Sequence, residues 1–486
     1  MKKLLSIFMA VLMLASLFAF GASANDNYIE ISTEEELRKI GDDNHYNKAI
    51  KLTADITLTS AWTTVEYFEG TLDGSGHKIT GLTGTGPMFD TLDMYSIVKN
   101  ITFVDMSIEN STKDGLGGIA YTTNGTIYNL TFDGLTVFGQ SDVGGISYKN
   151  YGSISNINIT DAAISTAAGK NRAGGIVAYN YATNGVITYC TVAGAVSGGF
   201  HIGGIAANNK GMITNCINYA SITADSSRAA GISATNDAGC TVSDCGNYGT
   251  VIAKRIKNIF SDTAVSGIGG FETKGGSTTV VNCFNAGKLI STYNSYYIAG
   301  ISGLISKDSM SFFENNNCYT VAGTVYRYND NTNGEYSAYA NGEKSGAVTF
   351  TSDAEGATKT NYISSGTVVT ATDFAKAEMV TKLGSAFVLS DDANYPIALA
   401  ADTSQEPGLD DGGDDQTPND NGDENTETEP NNDAETEVDT EADTEAETTA
   451  AAEDEGGCGG MIGVASVGVA AVCGVAAMAI RKKKED

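Results

Sequence analysis

Residues able to do acid–base, nucleophilic or metal chemistry are scarce in this chain of 486 residues. It has three histidines, His45, His77 and His201, and eight cysteines. No His-Glu-x-x-His string occurs, so a zinc hydrolase of that type has no ligand set here. One polar column stands apart. Three residues before the second glycine of a recurring Gly-Gly-Ile marker lie Asp142, Arg172, His201 and Arg228, with Lys170 beside them and Lys254, Arg255 and Lys257 on a longer insert. Stacked vertically, these residues form an outward basic row able to hold an anionic sugar or a partner's carboxylates. The plainer reading is a set of solvated corner residues. Glycoside hydrolysis needs two carboxylates across one cleft, and eliminative cleavage needs a calcium-holding acidic cluster with a Lys or Arg base. Neither constellation is visible, so no catalytic residue, metal or cofactor is assigned.

The cysteines follow a column of their own. It reads Leu130, Ile157, Cys190, Cys216 and Cys245, and continues as Cys283 and Cys318. Cysteine in place of Leu and Ile behaves as a small buried hydrophobe, which favours a reduced thiol ladder. Stacked residues also fall within the Cα separation that a disulfide needs, so Cys240–Cys245 or cysteines of neighbouring coils are bridge candidates. A flat column does not offer the tetrahedral geometry zinc wants.

These columns exist because the chain repeats. The marker stands at Gly117-Gly118-Ile119, Gly144-Gly145-Ile146, Gly174-Gly175-Ile176 and Gly203-Gly204-Ile205. Weaker copies follow at Ala230-Gly231-Ile232, Ser266-Gly267-Ile268 and Ala299-Gly300-Ile301. A period of about 30 residues signals a solenoid. Four residues after the Ile come Thr123, Asn150, Asn180, Asn209 and Asn236, then a glycine and an apolar residue, as in Gly125/Ile127 and Gly152/Ile154. Runs such as Ile127-Tyr128-Asn129-Leu130-Thr131-Phe132 alternate with strand periodicity. The fold class expected is all-β: a right-handed parallel β-helix whose coils stack at about 4.8 Å, a rod of roughly 50 Å. Glycine permits the corners, and Asn can take a left-handed backbone position while its amide bonds along the stack. Short helices are expected to cap the coils, one opened by the capping box at Ser32–Leu37 and one over residues 372–383. Tyr121 and Tyr148 share a column continued by Ala178, Ala207 and Ala234, and the stacked aromatics read as packing.

The ends set the compartment. Residues 1–24 carry Lys2 and Lys3, an apolar run and Ala22-Ser23-Ala24, the pattern of a secretory signal. Residues 25–110 are read as an N-terminal cap and first coils, 111–325 as the repeats and 326–400 as a C-terminal coil and cap. About 22 of the 59 acidic residues fall between Asp402 and Glu455 with no Lys or Arg among them, making 401–456 a disordered acidic stalk. Residues 459–480 are uncharged and long enough for a transmembrane helix, and the basic tail 481–486 belongs on the cytoplasmic side. A net charge of −30 argues against nucleic acid as a partner.

The string Gly-Gly-Ile-x-x-x-Asn-x-Gly-x-Ile at 144–154 resembles the GLUG repeat of bacterial surface proteins, and the stretch Trp62 to Leu82 is similar to the first coils of that family. The C-terminus resembles the membrane-anchoring tails of clostridial-type surface proteins. The resemblance implies a surface module of the kind found in adhesins and beside the metalloprotease domain of immunoglobulin A proteases. Arg255-Ile256-Lys257 and Gly199-Phe200-His201 are similar to fragments of polygalacturonase motifs, which keeps a polysaccharide-cleaving enzyme as the rival reading. A passive rod is the third. The expectation is an exported β-helix tethered to a bacterial membrane, acting in adhesion or capture of a glycan or protein.

Overall fold

The computed structural model describes residues 28–402 apart from 168, 170–171, 182–183, 255–263, 272–278, 293–296, 306–316, 329–335, 339–344 and 352–357. The signal, the acidic stalk and the C-terminal span therefore lie outside the described residues. Among the described residues, no helix is long and apolar enough to cross a membrane.

The chain winds into a parallel β-helix with three faces. Among the described residues the first face holds 24 strands, the second 11 and the third 6, and neighbouring parallel strands come from successive coils. Equivalent apolar residues stack inside the first face: Ile50, Leu72, Val98, Ile127, Ile154, Ile187, Ile213, Val242 and Val280 stand in one register and all are buried. No break falls at residue 110, where Ile101 pairs with Leu130 as Leu130 pairs with Ile157.

The marker isoleucines form a second inner column. The Ile119 amide donates to the Ile146 carbonyl, Ile146 to Ile176, Ile176 to Ile205 and Ile205 to Ile232, at 2.8–2.9 Å. The two marker glycines are needed for close approach, because neither has a positive φ. A Cβ on the first would strike a carbonyl of its own coil, as Gly174 would meet Val177. A Cβ on the second would strike the carbonyl of the equivalent glycine one coil on, from Gly145 to Gly175 to Gly204 to Gly231.

Asparagine's two expected jobs fall on different columns. The left-handed position belongs to Asn100, Asn129, Asn156, Asn215, Asn282 and Asn317, with φ between 49° and 57° at each, and it bends the first face just before the Leu/Ile/Cys column. Buried amide ladders run elsewhere. On the second face Asn150 Nδ2 donates to Asn180 Oδ1 at 2.9 Å, Asn180 to Asn209 at 2.9 Å and Asn209 to Asn236 at 3.1 Å. On the first face Asn218 donates to Asn247 and Asn247 to Asn285, both at 2.8 Å. Satisfying each buried amide through the coil above removes a desolvation cost and pins the register.

Cys190, Cys216, Cys245, Cys283 and Cys318 occupy successive coils of one column, as the pairings on either side of them require. All five are buried and unbridged. Each thiol of the first four donates to the carbonyl two residues earlier, Cys190 to Thr188 at 3.3 Å and Cys245 to Ser243 at 3.0 Å for example. Burial pushes the Cys190, Cys245 and Cys318 thiols well above their ordinary range. Cys240 is buried at a corner position equivalent to Gly211, outside the ladder.

Helix α1, Glu34–Leu37, closes the N-terminal end with a capping box made by Thr33 and Glu36, and buries Leu37. The C-terminal pair, α2 Ala371–Phe374 and α3 Ala377–Leu383, does not cover a coil end as expected. Phe374, Met379, Leu383 and Phe387 pack instead on Ile217, Phe284 and Tyr319, forming a satellite core on the rod's flank. The reason is register: Ile217, Gly246, Phe284 and Tyr319 form an outward apolar column of the first face that needs a cover. At this end, parallel stacking gives way to the antiparallel pairing of Gly346–Thr351 with Thr358–Ser364, and of the latter with Ser302–Ile305.

Candidate functional site

The polar column begins the strands of the third face. Arg172, His201 and Arg228 are the first residues of Arg172–Gly174, His201–Gly203 and Arg228–Ala230, and they pair in register. Asp142 stands one coil before, its carboxylate accepting from the Arg172 amide at 3.3 Å. Ala264 and Tyr297 continue the column.

The column does not form an open basic row. His201 is 9% exposed and Arg228 5%. The Phe200 ring stacks on the His201 imidazole with centroids 4.2 Å apart, which shields it from water. Burial, with the Arg228 and Arg172 guanidiniums on either side, lowers the His201 imidazole to about 2. It is neutral and adds no charge to the strip. Arg172 shares its guanidinium with Asp142 Oδ1, at 3.5 Å, and with the Tyr179 hydroxyl, at 2.9 Å; that hydroxyl donates to Asp142 Oδ2 at 3.0 Å. Lys254 is exposed and pairs with Asp225 at 3.3 Å. Lys170, Arg255 and Lys257 lie outside the described residues.

His201 has a consequence for stability. Below its ordinary value of about 6.5 the unfolded imidazole takes a proton that the folded one refuses. The stability it contributes is complete above about pH 6.5 and is lost as pH falls, by at most about 1.4 kcal/mol per unit. Urea midpoints measured from pH 7 to pH 4 should fall more steeply for the native protein than for His201→Phe. Parallel profiles would show that the imidazole is solvated.

Across the Gly-Gly-Ile corner the second face carries an aromatic cluster. Strands Ala120–Thr123, Ser147–Asn150 and Val177–Asn180 lie side by side. Tyr121 and Tyr148 share a column, with ring centroids 4.8 Å apart. Tyr148 meets Tyr179 edge-on at 5.6 Å, Tyr179 lies 6.0 Å from Tyr181, and Tyr181 stacks on Tyr151 at 4.3 Å. All five rings are half-buried. The Lys149 ammonium stands 4.9 Å from the Tyr148 centroid and 5.6 Å from that of Tyr121, while Lys113 stands 5.1 Å from Tyr121. Burial and Asp142 push the Tyr179 phenol up to about 12, so it remains a hydroxyl donor. Repeat alignment pairs Tyr121 with Tyr148 and Tyr151 with Tyr181, while Tyr179 falls in the column of Lys149, so no single column holds all five.

Among the described residues no group of three or more His, Cys, Asp and Glu side chains is arranged to hold a metal ion.

No family model matches the chain. Residues over a span of 146 are 31% identical to a halomucin of Haloquadratum walsbyi, a match that covers 28% of this chain and 1% of that protein's length. Among solved structures the chain is similar to a candidate immunoglobulin A1 protease from Bacteroides ovatus, at 17% identity and a TM-score of 0.41, over 79% of this chain and 95% of that one.

Proposed function

We propose that the protein is an exported surface rod that recognises a glycan or protein partner without cleaving it, an adhesin-class role. The single observation that carries this reading is the side-by-side placement of the Asp142–Arg172–Tyr179 cluster and the half-buried tyrosines on adjoining strands of three successive coils. Aromatic rings with a few fixed polar groups are the usual lining of a recognition surface. The halomucin similarity supports display outside the cell. The GLUG-type repeats, the secretory signal and the membrane anchor at 459–480 belong to this proposal on their sequence patterns, as does a contribution from Lys170, Arg255 and Lys257.

One experiment separates the readings. The intact protein is screened against glycans and host-surface proteins, and each glycan bound is then incubated with it and assayed for new reducing ends or unsaturated products. Binding without products is the expected result. Products would establish the polysaccharide-cleaving alternative, and an absence of binding across both panels would leave a passive rod.

A further inference from the structure

We propose that the tyrosine face binds an extended acidic polysaccharide, a uronic-acid chain lying parallel to the rod axis with about one sugar per coil. This assignment rests on the recognition reading above and adds the ligand class and its direction.

Three observations carry it. First, the five rings are spread along the axis. Tyr121 belongs to one coil, Tyr148 and Tyr151 to the next, and Tyr179 and Tyr181 to the third. An extended pyranose chain advances by about the same length per sugar as the coils do, about 4.8 Å. A linear glycan therefore stays in step with the stack, meeting the solvent-facing edges of the tyrosines in turn, since Tyr151 and Tyr181 cover one another's inner faces. Second, cations punctuate the rings. Lys149 lies over Tyr148 and Tyr121, Lys113 over Tyr121 and Arg172 over Tyr179. Lys113 reaches Asp90 only at 3.9 Å, and Lys149 forms no ion pair among the described residues. Asp90, Asp114 and Asp142 stand at the same face, and Asp90 and Asp142 face Lys113 and Arg172, so Lys149 is the cation left to meet a ligand carboxylate. Third, the rod has another aromatic stripe, and that one is covered. Tyr219 stacks on Tyr248, Tyr395 packs edge-on against both, and the Tyr248 hydroxyl donates to the Ile397 carbonyl. The chain spends its own C-terminal segment on that stripe, while Tyr121, Tyr148, Tyr151, Tyr179 and Tyr181 keep partial access to solvent.

The test uses the intact protein and polygalacturonate oligomers as probe, with neutral cello-oligosaccharides and polyglutamate as comparators, read by calorimetry. Polygalacturonate should bind more tightly than either comparator. Replacing Tyr151 and Tyr181 together with alanine should weaken binding about ten-fold or more, whereas phenylalanine at both should hold it within about two-fold. Lys149→Gln should weaken it several-fold and flatten its salt dependence, and Leu389→Ala, an exposed residue of the hairpin that pairs Phe387–Leu389 with Ile397–Leu399, should leave it unchanged. Urea midpoints of each variant separate lost binding from lost folding, and Lys149→Gln removes only a half-exposed charge. Equal binding of cello-oligosaccharide, or of polyglutamate without dependence on the tyrosines, overturns the proposal. So does polygalacturonate binding that survives the tyrosine variants and disappears with Arg172→Ala/Arg228→Ala. If other partners bind and polygalacturonate does not, the ligand class fails while the recognition reading stands; if nothing binds, both fail.

Discussion

Alanine at Gly204 is expected to destabilise the protein by about 3 kcal/mol or more, and alanine at Gly203 by less. Both glycines are buried neighbours in one marker, and composition alone would rank them equally. Their surroundings differ. The added methyl at Gly204 would drive into the Gly231 carbonyl and the Asn218 side chain, two groups fixed by the coil stack. Relief there requires neighbouring coils to part, which breaks the parallel ladder and the Asn218–Asn247 bond together. At Gly203 the main clash is with the Ala206 carbonyl of the same coil, and the next coil is met only at the Ala234 amide, 3.1 Å away. The chain carries this substitution already: the first marker position is Ala230, Ser266 and Ala299 in later copies, while the second is glycine in all seven. Urea unfolding of the two variants checks the difference, and equal losses would show that coil spacing adjusts freely.

Replacing Asn180 with leucine is expected to cost about 4 kcal/mol, since several buried polar groups lose their partners at about 1–3 kcal/mol each. The Asn180 amide donates to Asn209 Oδ1 at 2.9 Å and to the carbonyls of Gly185 and Met212 at 3.1 and 3.2 Å, and its oxygen accepts from Asn150. Leucine fills similar space yet strands an amide above and carbonyls beside it. Asn156 makes the contrasting case. It bonds Asn129 at 3.1 Å in an exposed ladder, and its φ of 49° is its main constraint. Glycine accepts that torsion, so Asn156→Gly should shift stability by no more than about 0.5 kcal/mol. The two unfolding curves, measured side by side, decide whether inner or outer amides hold the register.

Much of this architecture could be read without coordinates, for a physical reason. In a solenoid the decisive contacts join equivalent residues one period apart, so tertiary pairing is written as sequence periodicity. Ile119, Ile146, Ile176 and Ile205 stack as their spacing requires, and Cys190, Cys216 and Cys245 take the column held by Leu130 and Ile157 in earlier coils. What periodicity cannot express is contact between positions that are not equivalent. Phe200 covers His201 from outside the register, so a row expected to face solvent is largely buried and its histidine uncharged. The segment bearing α2 and α3 folds along the flank because Ile217, Phe284 and Tyr319 need cover there, a demand that appears only once the coils are aligned. The tyrosine face draws rings from different columns and from residues just past the strand ends, so no alignment of repeats brings Tyr148, Tyr179 and Tyr181 together. Sequence determined what lies above what; only the bending of the chain at its corners decided what lies beside what, and the candidate binding surface is made of side-by-side contacts.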